Sequence, residues 1–479
     1  MRDTRSPRPS PTRPRKRAAQ IALGLLAAAL LLGGWAAKAT YDRVGRTPGE
    51  LMDYAERRLY GHTRLESVAL PALGMVRDWL GEPSRAERLR TPFVVPPPPP
   101  LDQARAATGA ADALAAWSPG QRVLSVGPAG RFITVADAAR AARDGDIIEI
   151  ASGTYRGDVA LFLQKRLTIR GVNGRARFVA DGRSAEGKAI WVFRHGDIDI
   201  ANVEFVGARV DDRNGAGIRF EGGTLRIADS LFWGNENGIL AHDGVASVEI
   251  RDCEFGYNGS GDGLSHGIYI GRARRLAVSG SYFHHGNVGH LLKSRAASSD
   301  IRASRFTDES GGRSSYELDF PDGGVVVLVG NIVQQNRDTQ NSAMVAYGEE
   351  GRPHAENRLV VASNTLANDH PWGGAFLRVA AAPVPVLLAD NLLVGAGVVQ
   401  VPFDHASLQN PRVGWEAFVQ AARQDYRPVA ADPALAYQPA PSSMGADDSI
   451  VPTLEYFHPA QSRRIPAPPA SAGALQALR

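Results

Sequence analysis

Cysteine is almost missing from this chain. The 479 residues hold one, Cys253, so no disulfide can form within it. A lone thiol between strand residues reads as a small buried hydrophobe. Aromatic residues make up only 7%. The apparent basic surplus is also missing from most of the chain. Of 54 Lys and Arg and 50 Asp and Glu, residues 1–17 hold seven and one, leaving 47 and 49. The positive charge thus belongs to a short head, and no basic stripe with interleaved aromatics follows it, which excludes a nucleic-acid surface. Glycine is plentiful, at 51 residues. Many short strands joined by tight turns use glycine in that way, and a helical protein does not.

The uncharged stretch that begins at Ala18 includes IALGLLAAALLLGGWAA (21–37) and follows the basic head. Its length matches one bilayer crossing. The head then stays on the cytoplasmic side and the rest of the chain is exported. The expectation is a bacterial-type inner-membrane protein with a single anchor at 18–40 and its bulk in the periplasm. A cleaved signal peptide is the alternative, with Ala37-Lys38-Ala39 as a small-x-small site. Residues 41–121 read as a partly helical stalk, with Pro96 to Pro100 as a stiff polyproline spacer.

The main domain is expected over 122–400, with 401–479 as a C-terminal cap and loose tail. It opens with a helical pattern (Val135, Ala138, Ala139, Ala142), the strand Ile147 to Ile150 and a turn at Gly153. A repeat follows, pivoting on Phe205, Phe232, Phe255, Phe283, Phe306, Val333, Leu366 and Leu393, at steps of 23 to 33 residues. Two residues before each pivot stand Val203, Ser230, Cys253, Ser281, Ser304, Asn331, Asn364 and Asn391. Strands at such a period without helices make a solenoid. Parallel strands in register would stack the small polar residues into a ladder inside a turn, where Cys253 replaces a serine.

The opening GDIIEIASGTY and these repeats resemble the pectin-lyase-like right-handed β-helix proteins, over roughly residues 122–400. That superfamily includes pectate and alginate lyases, uronate epimerases and periplasmic copper-site maturation proteins. The resemblance implies an all-β right-handed parallel β-helix, and it leaves the activity open. The Asp-Pro-His-Asp motif of the uronate epimerases is missing here. Its nearest strings are Asn368-Asp369-His370-Pro371 and Phe403-Asp404-His405.

Uncommon polar residues crowd three successive repeats: GDGLSHGIYIG (261–271), FHHGNVGHLLKSRA (283–296) and GGRSSYELDFPDGG (311–324). Aligning the second strands sets Gly267–Ile270 beside His290–Lys293, then Tyr316–Asp319, then Ala343–Ala346. Alternation points Leu292, Leu318 and Val345 inward, and the columns Lys293/Asp319 and Leu291/Glu317 outward. Lysis or epimerisation of a uronate needs a cation on the substrate carboxylate, a base for the α-proton and an acid. Lys293 and Arg295 suit the first role, His290 or His266 the second, Tyr316 or Tyr269 the third. Glu317 and Asp319 would orient them, or form a carboxylate pair for glycoside hydrolysis. Arg313 would flank the face as a binding residue.

The expected partner is an anionic envelope polysaccharide. The competing reading is a non-catalytic glycan-binding or scaffold β-helix, in which Lys293 and Asp319 form only a surface ion pair. No cofactor is implied. Calcium, which several pectate lyases bind, would need the scattered Asp308, Glu309, Asp319 and Asp322 to converge. Nothing in the sequence addresses oligomeric state.

Overall fold

The computed structural model describes residues 48–59, 63–101, 120–429, 433–441, 450–465 and 469–476. The basic head and the apolar segment 18–40 lie outside these residues. Among those described, no helix is long and apolar enough to cross a membrane.

The repeats stack as a parallel β-helix. Ten short strands, one per coil, form one sheet, from Ala160–Phe162 to Val398–Gln400. A second, larger sheet carries the other two strands of each coil. All pivots fall in one register column, Phe205, Phe232, Phe255, Phe283, Phe306, Val333, Leu366 and Leu393, and Phe178 extends it by one coil. The rings stack inside the solenoid, with centroids 4.6 Å apart for Phe232–Phe255 and 4.4 Å for Phe255–Phe283.

The stretch that ends at each pivot is two strands rather than one. LRIADSLF becomes Thr224–Ala228 and Leu231–Trp233, with a corner between them. The residue before each ladder position takes the left-handed conformation, with φ between 40° and 69° from Asn202 to Gln409. This bends the chain without a long loop. The ladder then satisfies the backbone that the bend exposes. The N–H of Ser304 donates to Asn331 Oδ1 (3.0 Å), that of Asn331 to Asn364 Oδ1 (2.8 Å) and that of Asn364 to Asn391 Oδ1 (2.9 Å). Asn410 adds a further step. Cys253 is fully buried in this ladder, its N–H on Ser281 Oγ (3.2 Å).

Helix Val135–Ala141 covers the start of the solenoid. Thr134 caps it, and the Asp158 carboxylate accepts its first two N–H groups. Preceding it, helices Pro48–Leu59, Thr63–Leu80 and Arg85–Arg90 lead into an extended stretch that lies on the flank. Expected as a stiff polyproline spacer, that stretch is held at several points together with the helix before it. Trp233 Nε1 donates to Pro96 O (2.8 Å), and Arg88 bridges Asp53 (2.7 Å) and Asp338 (2.8 Å).

The C-terminal residues, expected as a cap and loose tail, run back along the larger sheet. Hairpins Phe418–Gln420/Asp425–Pro428 and Leu454–Phe457/Gln461–Arg464 bury Phe418, Tyr426 and Tyr456 against Tyr282, Ile332 and Leu392 of the solenoid.

Candidate functional site

The candidate residues gather on the ten-stranded sheet and in the turns that enter it. Pairing Ile268↔Leu292↔Leu318↔Val345 makes the outward column Tyr269, Lys293, Asp319, Ala346, Arg378. The sequence alignment of the first pair is therefore off by one residue: Tyr269 faces Lys293, where Leu292 was expected. Leu292, Leu318 and Val345 do point into the core.

The expected outward column Leu291/Glu317 is a correction. Both residues precede their strands, where the chain is still turning the corner, and alternation does not yet apply. They share an interior column with Gly217, Gly238, Gly267, Met344 and Phe376. At Gly238 a Cβ would lie 2.7 Å from the Phe255 ring. Leu291, Met344 and Phe376 belong to the core, and Glu317 is fully buried among them. Its carboxyl accepts from Ser314 Oγ (3.3 Å), which keeps it off the face that Asp319 lines. Burial, then the neighbouring Asp308, pushes its pKa well above the usual range.

Asp319 occupies the centre of the face. It is 3% exposed, with Lys293 Nζ and His290 Nε2 each 3.4 Å from Oδ2. Burial raises its pKa to about 6, against the pull of Lys293. His290 Nδ1 accepts the N–H of Tyr316 (3.3 Å), and His266 Nδ1 accepts the N–H of His290 (3.0 Å). Each neutral ring therefore carries its proton on Nε2. Burial, then Lys293, holds His290 down at about 3, and burial depresses His266 as well. The His290–Asp319 contact is thus between a neutral imidazole and a carboxyl group, not an ion pair. The two imidazoles stack at 4.6 Å, and Tyr316 leans on His290 at 5.0 Å.

Above Asp319 the cations are all paired. Lys293 also meets Glu350 (3.1 Å). Arg295 binds Glu350 and Asp322, and donates to Tyr269 Oη (3.1 Å). Tyr316 Oη donates to Glu349 Oε2 (2.9 Å), and burial, then Glu349, raises its pKa to about 12. Glu350 sits in a loop with its side chain half exposed, and it spans Lys293 and Arg295.

The structure thus brings together His266, Tyr269, His290, Lys293, Arg295, Tyr316 and Asp319. It does not bring in Arg313, whose guanidinium donates to Arg88 O and Thr91 O (both 2.7 Å) and so pins the N-terminal segment.

Glu349 and Glu350, in a segment (336–351) that reads from the sequence as an extension of the patch, and Asp322 were given no role on the face, because they come from turns of neighbouring coils. A cavity of about 600 Å³ lies beside Ser315, lined by Arg85, Gln340, Ser342, His370 and Trp372. The Trp372 ring is 41% exposed there. Exposed Trp in a turn was the available signal for it. Among the described residues, no three His, Cys, Asp or Glu side chains are placed to hold a metal ion.

No family model matches this chain, and no curated protein does either. Among solved structures, the pectin methylesterase of Aspergillus niger aligns at 13% identity. The alignment covers 62% of this chain and 87% of that one, with a TM-score of 0.27.

Proposed function

We propose that this face acts on an anionic, uronate-containing polysaccharide by moving a proton at the carbon next to the uronate carboxylate, as a lyase or an epimerase. The observation that carries the reading is Asp319. A carboxyl group with a pKa of about 6, held between Lys293 and an imidazole N–H, can take and return a proton near neutral pH. Lys293 and Arg295 share one exposed loop carboxylate, Glu350, which stands where a substrate uronate would neutralise them. Displacement of Glu350 by substrate would leave Asp319 as base and the Tyr316 or Tyr269 hydroxyl as acid. The sequence of residues 18–40 would tether this groove to the outer face of an inner membrane.

The second reading is a binding scaffold without turnover. It is favoured by the pairing of Lys293, Arg295, Arg272 and Arg378 with acids, since stacked ion pairs suit a rigid binding face.

A panel of uronate polysaccharides separates the two. Turnover would appear as near-ultraviolet absorbance from unsaturated ends, or as altered uronate signals in NMR for epimerisation. Both signals should vanish in Asp319→Asn and Lys293→Ala. Glycan binding without either signal would move the assignment to the scaffold. Absence of binding across the panel would sink both readings.

A further inference from the structure

A separate cavity of about 600 Å³ opens on the flank away from the Asp319 face, between the larger sheet and the C-terminal hairpins. The solenoid supplies Tyr282, Arg305 and Glu309, and the hairpins supply Arg423, Arg427, Phe457 and Arg463. Its volume falls in the range of small-molecule sites.

The charges count out to one cation in excess. Arg305 meets Glu309 (3.3 Å), Arg427 pairs with Asp425, and Arg463 meets Glu455 (2.7 Å). Arg423 is exposed at the cavity and has no such partner among the described residues. His285 and His458 add no charge near neutral pH, because burial lowers both, His285 to about 4.

Phe457 lines the same cavity and is 47% exposed, with the Arg463 guanidinium 5.4 Å over its ring, while the buried Tyr282 ring meets the Arg305 guanidinium (5.5 Å) and the His284 ring (4.2 Å). Tyr456 Oη and His458 Nδ1 bond each other at 3.0 Å, and the N–H of Ala460 donates to the same hydroxyl (3.3 Å). One surplus positive charge among paired guanidinium groups, beside one exposed ring, matches a sugar ring that bears a single carboxylate.

We infer that this flank cavity, closed by the C-terminal hairpins, is a second binding site, for one or two acidic sugar residues. The source could be a free acidic saccharide or the end of a polysaccharide chain, and both present the same chemistry to Arg423 and Phe457. The site is independent of the Asp319 face, so it stands or falls separately from the proposed reaction.

The test is calorimetric titration of the whole protein with digalacturonate, with polygalacturonate and with cellobiose as the neutral control. In a Lys293→Ala background, which removes the uronate cation of the Asp319 face, digalacturonate should still bind, and adding Arg423→Ala/Phe457→Ala should weaken that binding at least tenfold. Saturation by digalacturonate supports a free saccharide as the ligand. Binding of the polymer alone, with the same variant pattern, supports a chain end. Equal affinity for cellobiose, indifference to the added Arg423→Ala/Phe457→Ala pair, or no binding of either uronate probe in the Lys293→Ala background would overturn the inference.

Discussion

Replacing Glu317 by Gln should stabilise the protein at neutral pH, although it removes a native charge. Glu317 Oε2 and Gln335 Oε1 are both buried without a donor. The Gln335 amide N–H is committed to Asn341 O (3.0 Å), so the orphan atom is its oxygen. Two facing acceptors are reconciled if Glu317 carries a proton, as its raised pKa requires. A carboxyl whose folded pKa exceeds its unfolded value adds stability below the unfolded value, near 4.5, and that stability is lost as pH rises toward the folded value. Each pH unit in that window costs about 1.4 kcal/mol. As pH rises from about 4.5 toward the folded pKa the native protein should therefore lose stability relative to Glu317→Gln, whose amide can donate to Gln335 without a proton. Asp308, pushed up to about 7 by burial, is present in both proteins and cancels. The assay is urea unfolding followed by far-ultraviolet circular dichroism at pH 5, 6 and 7. Parallel pH profiles, or a variant less stable at pH 7, would refute the claim that this buried carboxyl is protonated.

Other perturbations follow from the solenoid interior. Phe255→Ala removes a ring stacked between Phe232 and Phe283 and should cost about 3–5 kcal/mol in the same unfolding assay. Asn331→Ala strands the Ser304 N–H and the Ile301 carbonyl inside the ladder and should cost about 2–4 kcal/mol, read as a lowered urea midpoint. Cys253→Ser should stay within about 1 kcal/mol of the native protein, because serine fills the same rung at Ser230, Ser281 and Ser304. The Cys253 thiol, raised by burial, should react with a thiol reagent only after denaturation. For Asp319, Lys293→Met removes the nearest cation, so its apparent pKa should rise above about 6, measured by carboxyl-carbon NMR titration.

Much of the architecture was legible in the order of residues. A Phe or aliphatic pivot at each repeat must stack on its neighbour, because parallel coils place equivalent positions in one column. The residue two places earlier must then be small or hydrogen-bonding, since it sits in the corner with its backbone exposed. Both statements are local, and register confirms them from Phe205 to Leu393. Lys293 beside Asp319 followed from the same alignment, and the structure pairs them.

What the sequence could not decide lies at corners and at long range. Glu317 stands two residues before Asp319, so strict alternation would place both on the outer face. The corner turns Glu317 inward, and only the path of the chain reveals that. Arg313 looked available for substrate, but it holds the backbone at Arg88 and Thr91, more than 200 residues earlier. The N-terminal stretch and the C-terminal hairpins dock through contacts just as remote, such as Trp233 on Pro96 and Tyr456 near Tyr282. Periodicity encodes what a coil repeats with its neighbours. It carries no record of where non-repeating segments settle, so the flank cavity exists only in the tertiary structure.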